Sequence, residues 1–119
     1  MQVYSGALPV QSGKRDTLMQ FIKDIQGPMK KDYEKSQKRL GIKKVAWFLQ
    51  APNGGDNDGN DWLLMYLEAE LMTRVFGDFA VSKEPFDVLM RNTLREITGY
   101  DFSIPPKGPP PALLNSWGY

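Results

Sequence analysis

The chain has 119 residues, 24% of them charged, with 15 Lys and Arg against 14 Asp and Glu and a formal net charge of +1. That balance leaves no electrostatic footprint for nucleic acid, and the absence of cysteine excludes a disulfide framework, a thiolate metal site and a cysteine nucleophile. The length fits one domain, and with no basic-then-apolar leader and no apolar run near the ~18 residues that span a bilayer, the expectation is a cytoplasmic protein without membrane or nucleic-acid partners.

Val3 to Leu8, a short mixed run ahead of Pro9, suits a first strand that ends in a turn. The period then changes. Leu18, Phe21, Ile22 and Ile25 form the stripe of an amphipathic helix, with Ser12 or Gly13 ahead as N-cap region. Gly27-Pro28 interrupts it, because proline lacks a backbone donor and crowds the preceding turn. Met29, Tyr33 and Leu40 roughly continue the stripe, which predicts a kinked helix, or two helices end to end, closing at Gly41. The Lys and Arg residues between Lys30 and Lys44 are interrupted by Asp32 and Glu34 and read as a solvated face.

Two strands follow, Ile42 to Gln50 and Asp61 to Glu68, each apolar on both faces. Val45, Trp47 and Leu49 project opposite to Ala46 and Phe48, and Trp62, Leu64 and Tyr66 opposite to Leu63, Met65 and Leu67. In the loop between them Asp56, Asp58 and Asn60 alternate like calcium ligands, but Gly59 misses the required sixth position and Leu67 replaces the bidentate Glu, so a plain hairpin loop is expected. Met72, Val75, Phe76 and Phe79 mark one further helix. Phe86, Met90, Leu94 and Ile97 mark another, entered through Ser82-Lys83-Glu84-Pro85 and ending at Gly99. Tyr100 to Ile104 is predicted as a last strand, before a proline-rich extended tail over 105–119 in which Trp117 and Tyr119 are apolar anchors for folding back onto the assembly.

Over 1–104 this order, strand, kinked helix, strand, strand, helix pair, strand, is the βαββαβ of a ferredoxin-like α+β fold with helices on one face of an antiparallel sheet. A sheet apolar on both faces needs a second cover, which predicts a two-fold homodimer.

Gly13-Lys14, Gly27-Pro28 with Tyr33 and Arg39-Leu40-Gly41, Trp47-Phe48-Leu49-Gln50, Glu68-Ala69-Glu70, Pro85-Phe86-Asp87, Leu94 to Asp101 and Gly108-Pro109 together resemble a small, largely uncharacterised bacterial family. That family belongs to the dimeric α+β barrel superfamily, alongside antibiotic-biosynthesis monooxygenases, haem-degrading monooxygenases and small polyketide cyclases. The resemblance implies the barrel dimer and, for activity, a cofactor-free oxygenase or isomerase-like enzyme acting on a small aromatic or polyketide-type compound. The alternative is a non-catalytic dimeric small-molecule-binding or accessory protein. Histidine is absent, so neither the iron ligand of the haem-degrading relatives nor the general base of the cyclases is present, and no haem, metal or other cofactor is expected.

No catalytic residue is assigned from sequence. The candidate ligand-binding residues are Tyr33, Arg39, Trp47, Tyr66 and Glu68. Tyr33 offers a hydroxyl beyond the kink, Arg39 a planar fork for a carboxylate or quinone oxygen, Trp47 and Tyr66 an aromatic wall, and Glu68 a carboxylate that desolvation could turn into a base. A ligand is expected between sheet and helices, beneath the kink, facing either Trp47 and Tyr66 or Phe48 and Met65.

Overall fold

The computed structural model describes residues 1–52, 60–104 and 111–118. Its elements run β1 (Gln2–Pro9), α1 (Arg15–Gln26), α2 (Lys30–Arg39), β2 (Ile42–Gln50), β3 (Trp62–Ala69), α3 (Met72–Val81) and α4 (Pro85–Thr98). The fold is α+β, with an antiparallel sheet of three strands in the order β1-β3-β2 and four helices. The loop carrying Asp56 and Asp58, the prolines of 105–110 and Tyr119 lie outside the described residues. Among the described residues, no helix is long and apolar enough to cross a membrane.

The helical stripe and its interruption have separate causes. Leu18, Phe21 and Ile25 are the buried face of α1. The guanidinium of Arg15 holds both Asp61 carboxylate oxygens at 2.7 Å, tying the start of α1 to the approach of β3. At the far end Pro28 has no amide hydrogen to offer, and the Asp24 carbonyl instead accepts from Gly27 N at 3.2 Å and Met29 N at 2.8 Å. The ladder is thereby reset, so the stripe is carried by two helices end to end. Gly41, at φ 79°, lets the chain leave α2 and enter β2 directly.

Pairing fixes which residues share a face. Trp47 is opposite Met65, Val45 opposite Leu67 and Leu49 opposite Leu63, while Tyr4, Gly6 and Leu8 of β1 meet Leu67, Met65 and Leu63 from the other side. This is the face the helices cover: Leu63 and Ala69 are at most 1% exposed and join Leu18, Met72, Leu94 and Ile97 in one core. Such side chains each contribute about 1.5–3 kcal/mol by leaving water. The other face carries the rows Pro9–Trp62–Gln50, Ala7–Leu64–Phe48, Ser5–Tyr66–Ala46 and Val3–Glu68–Lys44. Trp62, Leu64 and Tyr66 are half-buried there, and Phe48 is 56% exposed.

The helix pair after the sheet is held by partners distant in sequence. The amide of Met72, at the start of α3, donates to Gln2 Oε1 at 2.7 Å, so the first residue of β1 satisfies one of the free donors of a helix start. At the other end of the layer Gln11 donates from its backbone to Ile97 O at 2.7 Å and from Nε2 to Thr98 O at 2.9 Å.

The expected last strand does not form. Asp101 accepts from both the amide and the hydroxyl of Ser103, at 2.9 and 2.6 Å, and Ile104 N closes back on Asp101 O at 3.3 Å. An aspartate that bonds its own chain two residues on competes with sheet pairing and bends the backbone. Phe102 is turned inward by that bend, its ring 5.9 Å from Phe79. Of the apolar pattern Tyr100, Phe102 and Ile104, only Phe102 packs on the core, from a turn rather than a strand.

Two glycines allow a paired test. Gly99 caps α4 at φ 77°, and a Cβ there would come within 2.9 Å of Gln11 Nε2. Gly99→Ala should cost about 1 kcal/mol or more. Gly77 lies inside α3 with nothing within 4 Å of an added Cβ, and Gly77→Ala should gain about 0.5–1 kcal/mol. Urea unfolding of both variants checks the opposite signs.

Candidate functional site

The helix break opens a groove along the outer strand of the sheet. Its volume is about 370 Å³, and its walls are Met19, Ile22 and Gln26 of α1, Tyr33 of α2, and Trp47 and Leu49 of β2. This is within the range of small-ligand sites. No acidic or basic side chain lines it. The residues with polar groups on its walls are Gln26, Tyr33 and Trp47.

Trp47 is placed by packing. It sits on the covered face of β2 with Phe21 at 6.3 Å between ring centroids. Its Nε1 is buried and has no hydrogen-bond partner among the described residues. Tyr33 is set against Phe86 in an edge-to-face contact at 6.1 Å. Burial pushes the Tyr33 phenol above its ordinary pKa, with a smaller opposing pull from the Trp47 N–H. A buried donor without an acceptor costs about 1–3 kcal/mol.

Deeper between the sheet and α3 and α4 there is little room. The space under the Tyr4 ring, bounded by Leu40, Met65, Phe76 and Met90, is about 50 Å³. Tyr4 packs edge-on against Phe76 at 4.8 Å, and Gly6 is needed because a side chain there would run into the Tyr4 hydroxyl. The interior beneath α3 and α4 is filled, and the larger space is the groove between sheet and helices beneath the helix break, where Tyr33 was expected to stand above the strand.

The five candidate residues do not converge. Tyr33 and Trp47 share the groove. Tyr66 and Glu68 are on the opposite face, where the Tyr66 hydroxyl donates to Glu68 Oε2 at 2.7 Å. The expected facings both fail, since Trp47 is level with Met65 and Tyr66 is on the side of Phe48. Arg39 belongs to a third place, its Nη2 2.9 Å from Asp87 Oδ2.

Asp87 is the polar feature that the sequence patterns do not single out. It is fully buried in the first turn of α4, where the helix dipole favours an anion. Ser36 donates to one carboxylate oxygen and Ser82 to the other, both at 2.5 Å, and Arg39 completes the set. Burial by itself raises the pKa of this carboxyl, but the hydrogen bonds from Ser36, Ser82 and Arg39, with the Arg39 charge, outweigh it and hold the pKa below its ordinary value. A signal was present: Ser36 lies three residues after Tyr33 on the stripe that ends at Leu40, so a small polar residue occupies an inward position. The chemistry is that of a lock joining α2, the α3–α4 connection and α4.

Among the described residues, no group of three acidic side chains is gathered so as to hold a metal ion. No protein-family model matches the chain, and neither the curated proteins nor the solved structures contain a match to it.

The lock has a defined acid response. With its folded pKa depressed, Asp87 contributes stability that is present above the unfolded value of about 3.9 and is lost as pH falls through the folded pKa. Asp87→Asn should therefore cost about 2 kcal/mol at pH 7, by removing the charge that strengthens the hydrogen bonds from Ser36, Ser82 and Arg39, and should flatten the stability profile below about pH 4. Thermal unfolding between pH 2 and 7 reads both effects.

Proposed function

We propose that this chain is a non-catalytic dimeric small-molecule-binding or accessory protein, and that its ligand is a small apolar or aromatic compound with one acceptor oxygen. The observation that carries this reading is the groove wall: apolar, of ligand size, with two adjacent polar tips at Tyr33 and Trp47 and no ionisable acid or base other than the phenol. Such a wall can hold and orient a molecule. Proton abstraction needs a base within hydrogen-bond reach of the substrate, and the candidate carboxylate, Glu68, is on the far side of the sheet, bonded to Tyr66. The cofactor-free oxygenase or isomerase-like reading shares the Tyr33–Trp47 pair and lacks that base.

The dimer and the superfamily belong to the same proposal. A ferredoxin-like sheet keeps its first, third and second strands side by side with the fourth beside the first, and the order β1-β3-β2 has that neighbourhood without the fourth. The outward row through Leu64 and Phe48, the latter 56% exposed, gives an apolar face that a second copy, turned by a two-fold axis, would cover with the same residues. Sheet packed on sheet in this way is the arrangement of a dimeric α+β barrel.

Thermal-shift screening with aromatic and fatty ketones should give compounds that stabilise the wild-type protein. Tyr33→Phe removes one hydroxyl and should weaken them by about 1 kcal/mol, roughly fivefold in affinity. Trp47→Phe, which deletes the buried donor, should weaken ketones more than hydrocarbons of the same shape. Compounds that stabilise all three proteins equally would remove the pair from the site.

Sedimentation velocity across a dilution series tests the assembly. A dimer at low micromolar concentration is expected. Phe48→Glu, which places a charge on the uncovered face, should give a folded monomer. A wild-type protein that is already monomeric there would overturn the dimer.

A further inference from the structure

Each of the other helices is fixed by an apolar stripe, and α2 is not. Leu18, Phe21 and Ile25 anchor α1, Met72, Val75 and Phe79 anchor α3, and Phe86, Met90, Leu94 and Ile97 anchor α4. Across Lys30–Arg39 the one buried residue is Ser36. Tyr33 is half-buried, and a buried apolar side chain returns only at the cap, Leu40. What holds the middle of α2 is polar: Ser36 donates to Asp87 at 2.5 Å and Arg39 at 2.9 Å. Lifting such a helix breaks a few directional bonds and exposes little apolar surface of its own.

Open space adjoins α2 on two sides. The groove of about 370 Å³ runs past Tyr33 towards α1 and β2. A second concavity, about 420 Å³, separates Asp32 and Arg39 from Pro85 and Leu89 at the start of α4. Beneath the last turn, Gln37 and Leu40 border the small interior space. A helix in a close-packed interior cannot move without displacing its neighbours, and one bordered by voids meets less resistance.

Both connections of α2 suit a hinge. At Gly27-Pro28 the α1 ladder ends, and at Gly41 the backbone is left-handed, φ 79°, with nothing within 4 Å of an added Cβ. Val45 and Trp47 line both the groove and the interior space, so the two spaces meet at these side chains. We propose that α2 is a lid, hinged at Gly27-Pro28 and Gly41 and latched on Asp87 through Ser36 and Arg39, whose opening joins the groove to the interior space beside Val45 and Trp47. Opening leaves Ser82 on Asp87 and keeps the core of Leu18, Met72, Leu94 and Ile97 intact. The closed groove admits a small compound, and the joined space a longer one.

The chain contains no cysteine, so a single thiol can be introduced into the full chain and its reaction with a labelling reagent timed. Leu40→Cys places the thiol on the inner side of α2, and Leu94→Cys places it in the core on α4; the native residues are 6% and 1% exposed. The thiol at position 40 should label about a hundredfold faster or more, through opening of the lid alone. Ser36→Ala removes a latch bond and should speed labelling at position 40 roughly tenfold. Ile97→Val, at the far end of α4, loses contacts that the open form keeps; it should speed labelling at position 94 about fivefold and leave position 40 unchanged. The Trp47 indole N–H, buried and without a hydrogen-bond partner among the described residues, gives a second reading in the chain without cysteine: its hydrogen exchange should accelerate with Ser36→Ala and not with Ile97→Val. Equal responses of positions 40 and 94 to both substitutions would overturn the lid, by showing that α2 leaves only when the whole chain unfolds. So would an unchanged labelling rate at position 40 in Ser36→Ala. No ligand is added, so the outcome is independent of whether the groove binds one.

Discussion

β3 is the middle strand of the sheet, and it is apolar in both directions. From Trp62 to Leu67 every side chain is aromatic or aliphatic, and strand geometry sends alternate ones to opposite faces. The helices reach only one of those faces. Leu63, Leu67 and Ala69 disappear beneath α1, α3 and α4, while Trp62, Leu64 and Tyr66 keep partial contact with water. A strand of this composition in a chain of this size cannot be buried twice by its own helices. That constraint organises the rest: the helix layer is complete, and the opposite face is the side from which assembly is proposed.

Within the helix layer, polar and apolar contacts have different tasks. The core residues Leu18, Met72, Leu94 and Ile97 give burial without direction. Direction comes from Asp87, whose contacts with Ser36, Ser82 and Arg39 link α2, the α3–α4 connection and α4. Removing one partner from such a set leaves a buried charge uncompensated, which costs far more than the pair contributes relative to an apolar replacement. Arg39 is occupied by this task.

The groove is a consequence of the break between α1 and α2. Without an amide on Pro28 the α1 ladder ends at Gly27, and the chain restarts α2 with Tyr33 beside Trp47. Space therefore opens beside the outer strand, whereas the region under Tyr4 and Phe76 is filled by aromatic side chains. The buried, unpartnered indole N–H at this point is an exception to the rule that buried polar atoms are paired.

The sequence by itself determined the elements whose cause is local. Hydrophobic period set α1, α3 and α4, proline chemistry set the break at Gly27-Pro28, and strand alternation set a sheet with two apolar faces, because each of these follows from residues within a few positions of one another. Tertiary structure alone decided the rest. Whether Tyr100 to Ile104 pairs or turns depended on the Asp101 side chain competing for the backbone. Which of two equally apolar faces met the helices depended on the pairing register, which separated Trp47 from Tyr66. The Asp87 lock unites residues 36, 39, 82 and 87 across 51 positions of chain, a distance over which periodicity carries no information and only packing brings a serine to a carboxylate.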